Sequence, residues 1–450
     1  MFTISNGIEV LENEDQRVLI NPANREWIKL TDRAYELILN PRGKRVGQLV
    51  VEEALKTQAE PETIRSLFQY LKQYGFIAEI RNVVTLARAY LNLTARCNLR
   101  CPMCYFSIEN VDEEIAFTWE LSYEASCLVI DTLAKVDLKN LVITGGEPLF
   151  YRDFCKVLDY AKDKVPHITV LTNGTLVTEE VAEHIAEANA RVQVSIEAAD
   201  PEVHDSVRGI RSFKAAIQGI EKLVHAGVED IEIVQTLTRE SISESPGIIG
   251  LARELGVGYH FSLFLPVGRG ACHIGELEIP TDELISHFVN ISANLREETD
   301  GYDFVSFAEE IAAGNFPPPI ELVVKHGCGA GTSIISIAPD GRVYPCPLLH
   351  TKSTVLGRLP EDSIWEILKQ GASKIEDVTC LPGCLDCDVA LFCGGGCRAR
   401  AFAYTGDLSS EDPYCEFYRR VFRAVLWEWR DDRAFSDNLD RLLSCIGKEE

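Results

Sequence analysis

Three cysteines crowd into the segment Cys97-Asn-Leu-Arg-Cys101-Pro-Met-Cys104-Tyr105. Gaps of three and two residues let their thiolates wrap one face of a cubic iron–sulfur cluster and leave one of its four irons without a protein ligand. An open iron can chelate a small molecule that carries an amine and a carboxylate. A structural zinc ion would want a fourth ligand close by, and the segment holds none. Zinc and plain buried thiols are the competing readings.

A second group runs through Cys328, Gly341, Cys346, Cys384, Cys387, Cys393, Cys397 and Cys415. Its pattern is C-x12-G-x4-C, a gap, C-x2-C-x5-C-x3-C, a gap, then C. A zinc ribbon would use four of these seven cysteines and leave three without a purpose. Cys380 stands just upstream of Cys384. Cys127, Cys155, Cys272 and Cys445 fall outside every pattern and read as core or surface thiols. Of the 15 cysteines, three lie in residues 97–104 and seven in residues 380–445; scattered core thiols would not bunch in this way.

The elements that must hold these groups follow from periodicity. Strands read at Tyr90–Thr94, Leu141–Thr144, Ile168–Thr172, Val192–Ile196, Ile231–Leu237 and Tyr259–Leu265. Helical patterns such as Thr178–Ala188, Phe213–Ala226 and Ile248–Leu255 lie between them. Six β–α units predict an α/β fold, a parallel sheet closing as a partial (β/α)6 TIM-like barrel. Chemistry in such barrels sits at the C-terminal ends of strands. The first cysteine group follows the first strand. Thr144-Gly145-Gly146-Glu147-Pro148 ends the second, Thr172-Asn173-Gly174 the third, Ser195-Ile196-Glu197 the fourth and Leu265-Pro266 the sixth. His260, near the start of the sixth strand, reads as a packed core histidine rather than a base.

Residues 1 to about 80 read as a small α+β unit. Ile8–Leu11, Arg17–Ile20 and Glu26–Leu30 are short strands. Thr31 caps a helix, and helical patterns follow at Val46–Leu55 and Pro61–Tyr74. Three strands and then three helices suggest a winged-helix module. Residues from about 320 to 416 are rich in Cys and Gly, as a loop-rich, metal-stapled domain would be. Glu416–Cys445 reads as a helical tail. The expected division is 1–82, 83–310, 311–420 and 421–450.

The 450 residues are too many for one ordinary core. With 46% apolar and 25% charged residues, the composition is that of a globular protein. A formal charge of −25, from 69 acids and 44 bases, repels phosphate backbones and anionic membranes. No apolar run is long enough to span a bilayer, and Met1–Val10 lacks a secretory pattern. A cytoplasmic protein, with thiols or metal ligands rather than disulfides, is the expectation.

The spacing of Cys97, Cys101 and Cys104 resembles the signature of the radical S-adenosylmethionine (SAM) superfamily, and the resemblance extends over residues 89–270. The aromatic residue, Tyr105, follows the last cysteine, where the family more often has one just before it, at Met103. The resemblance implies that the three cysteines hold a catalytic 4Fe–4S cluster. It assigns Gly145, Gly146, Glu147 and Pro148 to the SAM amine, and Thr172 and Asn173 to the cofactor wall. Ser195 and Glu197 would touch the ribose and carboxylate, with Glu197 where the family commonly has Asp. Arg208 would clamp the carboxylate and Leu265 cover the adenine. The implied chemistry is one: an electron from the reduced cluster breaks a carbon–sulfur bond of SAM. The 5′-deoxyadenosyl radical so formed removes a hydrogen from an unactivated carbon.

Residues 328–415 resemble the SPASM extension of radical enzymes that modify peptides and proteins. The resemblance implies two auxiliary 4Fe–4S clusters, three clusters in all. Cys384, Cys387, Cys393 and Cys415 would hold the outer one, and Cys328, Cys346 and Cys397 the inner one. The inner set is one ligand short: either Cys380 completes it, or an open iron binds a substrate thiolate. Residues 1–82 resemble the leader-peptide recognition element of peptide-modifying systems, which adds the leader as a strand to a sheet edge. Together these imply a maturase of ribosomal precursor peptides, served by an electron donor such as flavodoxin or ferredoxin. Thioether formation is the first expectation and a carbon–carbon crosslink the second. Formylglycine formation is the third. Sulfatase-activating enzymes carry an Asp just after an extension cysteine, where Pro347 stands here. An iron–sulfur sensor with a winged-helix reader is the non-enzyme alternative; it would leave Glu147, Ser195 and Arg208 without a purpose.

Overall fold

The computed structural model describes residues 9–13, 16–22, 25–31, 66, 85–106, 119–296, 325–430 and 435–447. Six strands carry the expected parallel sheet: β4 (Thr85–Asn92), β5 (Asp137–Thr144), β6 (His167–Thr172), β7 (Arg191–Ser195), β8 (Ile231–Leu237) and β9 (Gly258–Leu263). They are hydrogen-bonded in that order, each parallel to the next. Helices α1 (Tyr123–Leu133), α2 (Phe154–Lys162), α3 (Glu179–Glu187), α4 (Pro201–Arg208), α5 (Ser212–His225) and α6 (Ser245–Leu255) connect them, and α7 (Ile274–Leu277) and α8 (Thr281–Arg296) follow β9.

Local chemistry sets the helix starts. Ser122 Oγ accepts from Ala125 N at 3.1 Å, Thr178 Oγ1 from Val181 N at 3.2 Å, and Asp200 Oδ1 from Glu202 N at 2.7 Å. One face of each strand is apolar and packs on the helices; Leu91, Leu141, Val170, Val192 and Ile233 are buried there. The alternate positions are largely polar, as Asn140 and Thr169 show by pairing across β5 and β6 at 3.0 Å. A closed eight-stranded barrel fills its interior with branched apolar side chains. This sheet instead leaves a chamber lined by both polar and apolar side chains.

The sheet does not end at β4. Strand β10 (Ile334–Ile337) pairs parallel to β4, and β11 (Arg342–Tyr344) and β12 (Gly357–Arg358) extend it antiparallel, giving nine strands. Asn92 Nδ2 reaches across to Ile337 O at 2.8 Å. The region expected to be loop-rich therefore contributes regular structure, because the open β4 edge offers a ladder to complete. It also carries α9 (Ile364–Lys374), α10 (Ala390–Cys393) and α11 (Arg398–Thr405).

The expected tail forms α12 (Cys415–Glu428) and α13 (Phe435–Ile446). It is no loose appendage. Phe417, Leu426, Leu442 and Ile446 are buried, and Phe417 meets Phe288 edge-on at 5.6 Å.

At the other end β1 (Glu9–Asn13), β2 (Gln16–Asn21) and β3 (Glu26–Thr31) form an antiparallel sheet. Val18 and Ile20 join the main core, Trp27 packs edge-on against Phe392 at 5.4 Å, and Lys29 Nζ donates to Leu426 O. Of the three helices expected after β3, only Ser66, in the third, is among the described residues, and it is helical. Among the described residues no helix is long and apolar enough to cross a membrane.

Candidate active site

Cys97, Cys101 and Cys104 sit on the loop that leaves β4, and neighbouring strand ends pin that loop. Gly146 N donates to Thr94 O and Glu147 N to Arg96 O, both at 2.8 Å. A Cβ at Gly145 would lie 2.4 Å from Thr94 O, and one at Gly146 2.3 Å from Arg96 O. The glycines are thus needed first for the approach of the cysteine loop itself. Asn173 Nδ2 holds Asn98 Oδ1 at 2.9 Å, tying the same loop to the end of β6.

Glu147 is buried at the end of β5. Its Oε1 accepts from Thr172 Oγ1 at 2.6 Å and Leu149 N at 3.1 Å, and its Oε2 from Asn173 N at 2.8 Å. A carboxylate offers about four acceptor positions, so one remains toward the cavity. Burial pushes its pKa up against the pull of these donors. Pro148 is buried and opens the 3-10 turn Pro148–Phe150; it does not line the cavity.

Glu197 departs from the expectation of a ligand contact. Its side chain is fully buried and lies outside the cavity lining. Oε1 accepts from Arg208 Nε at 2.8 Å and Nη2 at 2.5 Å, and Oε2 from Thr236 N at 2.8 Å. The additional methylene relative to Asp carries the carboxylate into the wall. Arg208 lines the cavity already paired, and Ser195, Thr172, Asn173 and Leu265 also line it.

The cavity measures about 490 Å³. The cysteine loop lines one part of it, and Pro347 and Leu348, directly after Cys346, line another.

Cys384, Cys387, Cys393 and Cys415 converge on one small cavity. Cys328, Cys346 and Cys397 gather in a separate apolar nest with Leu349 and Ala399. Asp412 braces this region: it ion-pairs with Arg400 at 3.0 Å and accepts from Cys397 N at 2.5 Å. Cys380 is exposed at the end of the 3-10 turn Val378–Cys380 and packs with neither group.

Zinc lies about 2.3 Å from each sulfur, which brings ligating sulfurs within about 4 Å of one another. Among the described residues no three cysteine sulfurs lie within 4.8 Å. That spacing is wider than a zinc site closes and leaves room for a larger body such as a cubane cluster. Burial pushes the thiols of Cys97, Cys346 and Cys393 up, Cys97 to about 11, so binding iron there releases protons.

Comparison with known proteins agrees with this geometry. Residues 91–242 match the radical SAM superfamily and residues 328–388 the SPASM iron–sulfur cluster-binding domain. The AdoMet-dependent heme synthase of Methanosarcina barkeri is 31% identical over 72% of this chain and 94% of its own. The chain belongs to the radical SAM superfamily. The mycofactocin maturase MftC of Mycolicibacterium smegmatis is 30% identical over 72% of this chain and 81% of its own. Streptococcus suis SuiB, solved bound to its precursor peptide SuiA, shares the fold with a TM-score of 0.57 at 17% identity, over 92% of this chain and 99% of that one.

This radical SAM enzyme therefore uses SAM and iron–sulfur clusters. Sequence reasoning missed Arg269, whose Nε donates to Cys101 O at 3.1 Å and whose N donates to Cys104 O at 3.0 Å. The Gly268-Arg269-Gly270 run just past the sixth strand was the available signal. A Cβ at Gly268 would lie 2.7 Å from Cys104 O. His260, read as core, lines the cavity.

Proposed function

We propose that this radical SAM enzyme matures a ribosomally made precursor peptide by joining a substrate cysteine sulfur to a carbon of another residue. The observation that carries the reading is the cavity, bounded both by the Cys97–Cys104 loop and by Pro347-Leu348 beside Cys346. A substrate in it lies between the two cysteine groups. Cys97, Cys101 and Cys104 hold the catalytic cluster, and the free acceptor position of Glu147 takes the SAM ammonium. Cys384, Cys387, Cys393 and Cys415 hold the outer auxiliary cluster, and Cys328, Cys346 and Cys397 the inner one, three clusters in all. When bound and reduced, the catalytic cluster with SAM supplies a 5′-deoxyadenosyl radical able to take hydrogen from an unactivated carbon.

The exposure of Cys380, away from the inner trio, favours an inner site with a position open to a substrate thiolate. Thioether formation removes two hydrogens from the peptide, one as an atom and one as a proton with an electron. The auxiliary region is the acceptor for that electron, and a flavodoxin or ferredoxin supplies the reducing one. The sheet β1–β3 presents an edge for a leader strand within residues 1–82. The names of MftC and of SuiB with its precursor peptide support the substrate class.

The test is anaerobic co-expression with the neighbouring small cysteine-containing reading frame, followed by intact mass and thiol alkylation. Loss of two hydrogens per modification with matching loss of alkylatable thiols is the expected result. The same mass loss with every thiol still reactive replaces the thioether with a carbon–carbon crosslink. An unchanged mass overturns the peptide assignment and moves attention to sulfatase-type targets.

A further inference from the structure

The lower half of the chamber carries charge that cofactor binding does not use. On β4 the side chains of Arg88 and Tyr90 line the cavity, on β7 those of Arg191 and Gln193, and on β9 those of His260 and Ser262. Arg88 lies four residues before the end of β4, about 13 Å below the strand end from which the cysteine loop departs.

Two cations reach this floor, and only one is balanced. Arg191 pairs with Glu232 through Nη2, and its Nε lies 3.6 Å from Asp230. Gln193 takes the other oxygen of Glu232 at 2.9 Å, so that carboxylate is spent. Arg88 is half-buried and has no hydrogen-bond or ion-pair partner among the described residues. His260 adds no charge, because burial, with Arg191 and Arg88 nearby, lowers its pKa to about 3.

An unpaired guanidinium in a partly dehydrated chamber is a docking point for a planar anion, which it grips through two parallel hydrogen bonds. One open cation matches one negative charge, which favours a carboxylate over a phosphate dianion. The chain otherwise carries a formal charge of −25, so an anion is attracted here by local charge alone.

We propose that Arg88 binds a substrate carboxylate at the floor of the barrel, anchoring the substrate with its reacting carbon near the strand ends. The inference rests on the chamber being the substrate site, and not on the substrate being a peptide. A peptide C-terminus, an acidic side chain and the propionate of a tetrapyrrole share this chemistry.

The experiment is equilibrium binding, without turnover, to the anaerobically reconstituted full-length enzyme with SAM. The probes are N-acetyl-leucine and N-acetyl-leucinamide, followed by saturation-transfer NMR. The acid should bind at least about tenfold more tightly than the amide. Arg88→Gln should erase that preference and Arg88→Lys retain part of it. Equal affinity of acid and amide for the wild-type enzyme overturns the proposal without any variant, and so does a preference that survives Arg88→Gln. Competition by a free-acid peptide, by its amidated glutamate-bearing analogue or by a propionate-bearing porphyrin then identifies the source, each displacement supporting the site. Failure to modify a precursor peptide would remove the maturase reading and leave this binding result standing.

Discussion

Arg208 and Glu197 meet inside the chamber wall, with Nε and Nη2 of the guanidinium both directed at Oε1 of the carboxylate. The pair fixes the C-terminal end of α4 against the end of β7, just below the cysteine loop. Glu197→Gln would leave Arg208 as an uncompensated buried cation. The expected loss of stability is about 3–5 kcal/mol, read by denaturant unfolding. A loss below about 1 kcal/mol would show that the pair is not fixed in this way.

The cysteine loop depends on its glycine neighbour as much as on its sulfurs. Gly146→Ala should push the loop off β5, since the new Cβ meets Arg96 O at 2.3 Å. Iron should fall by one cubane, about four atoms, and 5′-deoxyadenosine formation should be lost. Cys101→Ala should give the same result for a different reason. Retained SAM cleavage in the cysteine variant would remove that residue from the catalytic cluster.

His204 gives a pH dependence with a definite sign. Its Nδ1 accepts from Glu197 N at 3.2 Å, which requires the neutral ring, and burial lowers its pKa from 6.5 to about 3. The unfolded chain takes up the proton first as pH falls. Stability from this group is complete above about pH 6.5 and drains away between there and about pH 3. At pH 5.5 the cost is about 1.4 kcal/mol relative to pH 7.5. Unfolding curves of the wild type and His204→Gln should converge by that amount on acidification; parallel curves would clear His204 of the effect.

Leader recognition is better tested on the peptide than by truncating the enzyme. Removing residues 1–82 would uncover Phe392 and strip Val18 and Ile20 from the core. A leaderless peptide should lose about a hundredfold in kcat/KM, while iron content stays unchanged. Equal turnover with and without the leader would remove that role from the N-terminal sheet.

The strands and cysteine groups were legible because each depends on local spacing. Alternation fixed β5 to β9 within a few residues, and Cys97, Cys101 and Cys104 announced themselves by position. The partnership of Glu197 with Arg208 was hidden, since eleven residues of turn and helix decide where the two side chains meet. Addition of β10 to β4 was hidden as well: Ile334 and Arg88 pair across 246 residues of chain, and no local pattern encodes that distance. Arg269 showed only as a glycine-flanked arginine, and its grip on the cysteine loop arises from the return of the chain after β9.

The pairing of β10 with β4 has a kinetic meaning. The cysteine loop and the hairpin that presents Cys346 spring from neighbouring strands of one hydrogen-bonded ladder. Their separation is held by the backbone hydrogen bonds of that ladder. Such a scaffold has no need to close around its substrate to align donor and acceptor. Its chemical steps should therefore proceed at rates insensitive to solvent viscosity, with friction felt only as the substrate enters and leaves.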